Sequence, residues 1–257
     1  MAHEKPYSIR LATCDDVEDI YAIKAQSFSN YLHYTIYYSP FSVKYLRNLI
    51  CQGEGKTLFA VCQGHEVLGY YHGVLRDTDF FLNYIAVRSE ARGQGVGQVL
   101  LKHYEDVGRT YGYQRLALDV FDTNRYALDW YLDQGYQVSS FNFTSCLDLS
   151  ALNNSCANLQ LSWNTDDWHR ACEEESWQGF SKIDAVCGDG NLTIGLVANC
   201  ICRLLHYENM ELEMAILSIA QKFRGDRDWL IVSSLPAVPV EWPVLTSEKV
   251  LSLHKFI

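Results

Sequence analysis

Three glycines, Gly93, Gly95 and Gly97, stand within five residues of one another in the run "YIAVRSEARGQGVGQVLLKHY" that spans residues 84 to 104. Glycine weakens an ordinary helix start by up to about 1 kcal/mol per residue, so three together need a chemical reason. A helix that follows a strand through a glycine-rich turn presents unpaired N–H groups and the positive end of its dipole, and together these hold phosphate. The spacing narrows the ligand. There is no GxxxxGK[ST], which excludes a P-loop nucleotide, and the GxGxG register does not match the GxGxxG of a dinucleotide fold. The pattern that remains is Arg92-x-x-Gly95-x-Gly97.

Elements on both sides must position that loop. "YSIRLAT" reads as a strand, "DDVEDIYAIKAQSF" as a helix opened by acidic residues with Val17, Ile20, Ile23 and Ala25 near helical spacing, and "SVKYLRNLICQ" as a second short helix. "KTLFAVC", "EVLGYYHGVL" and "FFLNYIAV", separated by turn residues, form an antiparallel meander. After the glycines, Val96, Val99, Leu100, His103 and Val107 mark a helix face; "YQRLALDVF" is a strand, "NRYALDWYLDQ" a helix closed by Gly135, and "YQVSSFNFTSCLDL" one or two final strands. The order β-α-α-β-β-β-α-β-α-β-β places the chain in the α/β class, with a mixed sheet and helices on both sides.

The Arg92-x-x-Gly95-x-Gly97 spacing directly after "LNYIAVRSEA" resembles motif A of the GNAT superfamily of acyl-CoA-dependent N-acyltransferases. About 25 residues on, "LDVFDTNRYALDWYLDQGYQ" is similar to the superfamily's other signature, a strand followed by N-x-x-A-x-x-x-Y-x-x-x-G-[FY]. The likeness covers roughly residues 7 to 149 and is most like bacterial ribosomal-protein alanine N-acetyltransferases. It implies that backbone groups of Ile85, Ala86 and Val87 pair with the pantetheine arm of acyl-CoA. The loop Arg92, Gly93, Gln94, Gly95, Val96, Gly97 and Gln98 would cradle the pyrophosphate, Arg92 adding charge. Asn124 falls where the family contacts CoA, and "DTN" equally suits a helix N-cap.

Acyl transfer to nitrogen needs a neutral amine, although a lysine-type amine has a pKa of about 10.4, a donor for the oxyanion, and a proton for the leaving thiolate. Tyr131 aligns with the family's tyrosine that protonates the CoA sulfur. For the base the resemblance points to the strand position of Asp119, where relatives carry glutamate; alternation puts Leu116, Leu118 and Val120 on one face and Asp119 on the other. Asn83, His72 and Tyr84 are the fallbacks, and a lone His72 in a strand is more often a packed residue. The oxyanion donor is expected near the Val87 N–H. Phe28, Tyr31 and Tyr34 open an aromatic wall, continued by Tyr37, Tyr38, Phe41 and Tyr45, where the family shapes its acceptor site. Such rings suit an acyl chain or an extended peptide, or simply sheet packing.

The bulk numbers bound the rest. A chain of 257 residues, 48% hydrophobic and 20% charged, buries a full core, and no apolar run reaches the roughly 18 residues of a membrane span. No membrane partner and a cytoplasmic location are expected. The net charge of −10 argues against nucleic acid as a partner. Nine cysteines without a CxxC pair or Cys/His metal spacing are expected as free thiols, with no metal site.

After residue 150, "FSKIDAVCGDGNLTIGLV", "NCICRLL", "ENMELEMAILSIAQKF" and "DWLIVSSLPA" repeat the succession strand, turn, strand, strand, helix, strand. Glu208, Glu211 and Glu213 stand where the first copy has Arg92 and glycines, and their charge would repel pyrophosphate. The expected layout is therefore a catalytic domain over residues 1–150 and a degenerate GNAT-like repeat over 151–257, with 151–165 as connector. The expected function is transfer of an acyl group, acetyl or longer, from acyl-CoA to a primary amine of a peptide, protein or small molecule, directly within a ternary complex. The alternative is a non-catalytic acyl-CoA sensor or scaffold, which would keep the loop without needing Asp119 and Tyr131.

Overall fold

The computed structural model describes residues 7–28, 42–52, 57–63, 66–152, 159–234, 237–239 and 242–257. The described residues fall into two compact units, the first drawn from 1–32, 46–140 and 251–257, the second from 33–45 and 141–250.

The first unit opens with β1 (Ser8–Leu11), a short 3-10 turn (Cys14–Asp16) and α1 (Val17–Phe28). Thr13 and Asp16 form a reciprocal cap there, the Thr13 N–H donating to Asp16 Oδ2 at 2.7 Å. The Arg10 guanidinium forks onto both Asp16 oxygens at 2.6 and 2.7 Å and holds that carboxyl below its usual range. Then come α2 (Ser42–Cys51), β2 (Thr57–Gln63), β3 (Val67–Leu75), β4 (Phe80–Val87), α3 (Val96–Thr110), β5 (Arg115–Phe121), α4 (Arg125–Asp133) and β6 (Gln137–Asp148). Strands β1 to β4 pair as an antiparallel meander, and β5 joins β4 in parallel.

Alternation along β5 buries Leu116, Leu118 and Val120 in one cluster with Val96, Leu100, Leu101 and Tyr104 of α3 and Leu128 and Tyr131 of α4. The opposite face of β3 and β4 meets α1. Leu251 and Leu253, from the last strand of the chain, complete the α3/α4 core.

The second unit contains α5 (Thr165–Gln178), β7 (Phe180–Cys187), β8 (Gly190–Val197), β9 (Ile201–Glu208), α6 (Leu212–Phe223) and β10 (Trp229–Ser234), and the chain ends in β11 (Val244–Phe256). The division between units falls inside α2, β6 and β11. Strands β7, β8 and β9 are antiparallel, β10 is parallel to β9, and β10 is antiparallel to β6. This is the β2-β3-β4-α3-β5 succession again. Helix α5 starts where Asn164 accepts from the Asp166 and Asp167 N–H groups, and ends at Gly179 in the left-handed region. Inside the unit, Arg227 meets both Glu175 oxygens at 2.5 and 2.6 Å.

The expectation of free cysteines needs correction: Cys14 and Cys51 form a disulfide. Nothing in a separation of 37 residues announces it; the pair meets because the turn before α1 comes beside the end of α2. Cys62, Cys146, Cys172, Cys187, Cys200 and Cys202 are free. No helix among the described residues is long and apolar enough to cross a membrane.

Candidate active site

The site begins where β4 and β5 part. Their parallel register runs Phe80 to Leu116, Phe81 to Ala117 and Leu82 to Leu118, and stops. On the other side of β4 the register with β3 slips by one residue: His72 faces Tyr84 and Gly73 faces Leu82, so Asn83 is the extra residue of a β-bulge. The bulge increases local twist at the fork, and beyond it Ile85 to Val87 and Asp119 to Phe121 no longer pair with each other.

Main-chain direction follows from the ladder. The Arg88 N–H donates to Leu68 O at 2.8 Å, which fixes Leu68 with Arg88, and by alternation Tyr70 with Ala86, as the hydrogen-bonded pairs of β3 and β4. Ile85 and Val87 therefore turn their polar groups the other way, into the fork. Of the three residues expected to meet pantetheine, these two face the slot and Ala86 faces β3.

The loop after β4 runs from Arg88 to Gly95. Gly93 has φ +74° and Gly95, the N-cap of α3, φ +83°, conformations that side chains rarely adopt. Gly97 is different: it is helical, and a Cβ there would meet only ordinary contacts to Trp130 and Val87 at 3.7 Å. Neither backbone nor packing requires glycine at 97, whereas close approach of a phosphate to the helix start does. The first helix bond returning to the N-cap is Val99 N–H to Gly95 O at 3.2 Å, and Gly95 offers no capping side chain, so the Val96, Gly97 and Gln98 N–H groups lack helix partners. The residues present fit a diphosphate.

Around this cradle the side chains take local partners. Arg92 folds back, Nε donating to Val87 O at 3.2 Å and Nη2 to Ser27 Oγ at 3.2 Å. Gln94 donates to Glu90 O and accepts from Tyr7. Asn124 caps α4, accepting from the Ala127 N–H at 3.3 Å.

Tyr131 and Asp119 approach from opposite faces. Tyr131 lies in the α3/α4 core at 7% exposure, beside Trp130 and Tyr136, and its hydroxyl makes no hydrogen bond among the described residues. Burial pushes the phenol well above its ordinary pKa, so it holds its proton at neutral pH. Asp119 follows Leu118, the last paired residue, and points to the opposite, exposed face; its Oδ1 accepts from Ser252 Oγ at 2.7 Å.

Residues 18–136 match the family model described as Acetyltransferase (GNAT) family. Those residues form a GNAT domain. It is similar to the bovine thialysine N-epsilon-acetyltransferase, 34% identical over 35% of this chain and 62% of that relative, so it spans less than two thirds of that protein. It is also similar to the aminoalkylphosphonate N-acetyltransferase of Salmonella typhimurium, 27% identical over 54% of this chain and 90% of the relative. A tandem GNAT protein from the clavulanic acid biosynthesis pathway superposes with TM-score 0.65 over 97% of this chain and 98% of its own, at 11% identity. A GCN5-related N-acetyltransferase from Kribbella flavida superposes with TM-score 0.54 over 98% and 71%, at 14% identity. The fold is a tandem GNAT fold.

Under α1, the GNAT unit carries a polar cluster that sequence reasoning resolved only in part. Asn83 Nδ2 lies 3.0 Å from His72 Nδ1, and His72 stacks on Phe59 with centroids 4.0 Å apart. With Asn83 as donor the His72 proton sits on Nε2, which is buried with no partner among the described residues. Burial, aided by the Lys24 charge, pushes His72 down to about 3, so it stays neutral and is a poor base at pH 7. Tyr84 receives Phe28 edge-on at 5.4 Å and Lys24 Nζ over its ring at 3.1 Å. Lys24 was missed. It is 2% exposed, and burial lowers its pKa. The signal was available, since position 24 lies four residues after Ile20 on the stripe of Val17, Ile20 and Ile23. Tyr31, Tyr34, Tyr37, Tyr38 and Phe41 lie outside the described residues; Tyr45 packs edge-on against Phe180 at 6.2 Å, within the second unit.

Proposed function

We propose that the chain transfers an acyl group from acyl-CoA, acetyl-CoA by default, to a primary amine by direct attack within a ternary complex. One observation carries the reading: β4 and β5 separate after Leu82 and Leu118, opening a slot with a glycine cradle on its rim and a phenol and a carboxylate on its two faces. Bound acyl-CoA would supply the activated thioester. Val96, Gly97 and Gln98 N–H groups would hold its diphosphate, and Ile85 and Val87 would pair with its arm as a neighbouring strand does.

The protein's share of the chemistry is proton handling and orientation. Asp119, on the exposed face, takes the proton of the attacking amine. The Val87 N–H, turned into the slot, donates to the acyl oxygen as charge grows there. Tyr131, kept protonated by burial, donates to the departing sulfur. Acid and base on separate faces match a reaction in which the attacking nitrogen and the departing sulfur occupy different positions around one tetrahedral carbon.

The bovine and Salmonella relatives described above are named for acetylating small amines, which supports an amine acceptor here. We assign catalysis to residues 1–150 and read 151–257 as a copy without a CoA loop. The test is thiol release from acetyl-CoA, and then longer acyl-CoAs, across a panel of small amines and peptides. Tyr131→Phe should lower kcat by about 10²-fold with coenzyme A affinity unchanged. Tight coenzyme A binding with no amine-dependent thiol release would sink the enzyme reading.

A further inference from the structure

Asp119 occupies an exposed strand position, where a short carboxylate samples several rotamers. A base must hold one oxygen within about 2.6–3.2 Å of the nitrogen it deprotonates, so free rotation there costs rate. The contact that limits it comes from 133 residues away, with Ser252 Oγ donating to Asp119 Oδ1 at 2.7 Å. The bond fixes the carboxylate plane and leaves Oδ2 to receive a proton.

Ser252 is itself held. The Ser139 hydroxyl donates to the Ser252 carbonyl at 2.9 Å, and the flanking Leu251 and Leu253 are buried in the α3/α4 core at 7% and 1% exposure. Three residues on, Lys255 Nζ donates to Glu105 Oε1 of α3 and to the Gln134 carbonyl, each at 2.8 Å. Gln134 is the C-cap of α4, the helix that carries Tyr131. A cation on a helix's last carbonyl satisfies an orphan acceptor and complements the dipole. The segment 251–257 thus touches the carboxylate directly and steadies the helix bearing the phenol.

We propose that Ser252 is a positioning residue for Asp119, and that the last strand of the chain, closing the second repeat in sequence, completes the catalytic geometry of the first. The inference rests on the assignment of Asp119 as base. It makes residues 251–257, which belong to the first unit, a working part of the enzyme through one hydroxyl.

The experiment uses the full-length chain with acetyl-CoA and the best amine of the panel. Ser252→Ala should lower kcat about tenfold while the KM for acetyl-CoA and the coenzyme A affinity by calorimetry stay at wild-type values. Ser252→Thr, which keeps the hydroxyl on the same carbon, should restore kcat to within about twofold. In the Asp119→Asn background the added Ser252→Ala change should cost nothing further. An unchanged kcat in Ser252→Ala, or an equal loss with and without Asp119, would overturn the positioning role while leaving Asp119 as base. An unchanged kcat in Asp119→Asn would overturn both, and that result identifies the base assignment as the fault.

Discussion

The two units use one strand plan and diverge at the fork. In the first, Asn83 is the bulge residue of β4 and pairing with β5 ends one residue earlier, at Leu82 and Leu118. In the second, Leu205 is the bulge residue of β9 and pairing with β10 also ends one residue earlier, at Leu204 and Val232. Bulge and fork therefore belong to the repeat, and they do not by themselves make a site. What differs is what surrounds them. The first unit joins its fork strand to the helix through residues 88–95 with two left-handed glycines; the second does so through 209–211 alone, with Glu211 as N-cap and Glu213 in the first turn. At the position of Asp119 the second unit has Ser233, bonded to Thr144 Oγ1 at 3.1 Å. At the fork the two copies therefore differ in the connection to the helix and in the residue that follows the last paired one.

Both units pair buried carboxylates, Asp16 with Arg10 in the first and Glu175 with Arg227 in the second. The side chains of Glu175 and Arg227 are 2% and 8% exposed, in mutual contact, and Glu175 also accepts from the Asn199 N–H at 2.9 Å. Glu175→Gln leaves the guanidinium buried against a neutral partner, and about 3–5 kcal/mol of stability should be lost in urea denaturation. Coenzyme A affinity at temperatures where the variant is folded should not move. A parallel loss of affinity would show that binding and the second unit's stability are one property.

Binding itself gives the next test. If the cradle before α3 is the one binding site, calorimetry should find one coenzyme A per chain, and Gly95→Leu should weaken it at least about 100-fold, because a side chain strains φ +83° at the helix start. Two sites per chain, or undiminished affinity in Gly95→Leu, would erase the distinction between the units.

The cradle was legible because it is local. Glycine spacing, the alternation of "LALDVF" and the helix signature around Tyr131 each lie within a few residues of what they position. The bulge at Asn83 was not legible, because it exists only in the register against His72 and Gly73. Neither were Ser252 on Asp119, the Cys14–Cys51 bond or Lys255 on Gln134, which depend on elements that meet only after folding. Helix α5 and strand β11 went unassigned: α5 is strongly polar, and β11 begins with an exposed run, Leu245 to Ser247, that has no alternation. Arg92 shows the limit of motif reading, since its place in the pattern does not say that its guanidinium turns back onto Val87 and Ser27.

Lys24, buried in the first unit with its Nζ over the Tyr84 ring, gives a smaller test. Its folded pKa is depressed by burial while the unfolded value stays near about 10.4, so between these values the unfolded chain binds more protons. Stability must then rise with pH across that window, and the penalty is fullest below the folded pKa. Lys24→Met, which keeps the length and removes the charge, should stabilise the protein by roughly 1–3 kcal/mol at pH 7. The advantage should shrink by pH 9.5 in paired urea titrations. A difference independent of pH would mean that Lys24 titrates alike in both states.

The smallest effect separates capping from binding at two equivalent helix starts. Asn124 caps α4 in the first unit, and Asn164 caps α5 in the second, each accepting from backbone N–H groups of its own first turn. Replacing either with alanine removes one such acceptor and should cost about 1 kcal/mol of stability. If Asn124 also meets coenzyme A, Asn124→Ala should in addition weaken calorimetric affinity severalfold, whereas Asn164→Ala should leave it untouched. Equal behaviour of the two variants would reduce Asn124 to a cap, and the family signature at that position would then record helix geometry alone.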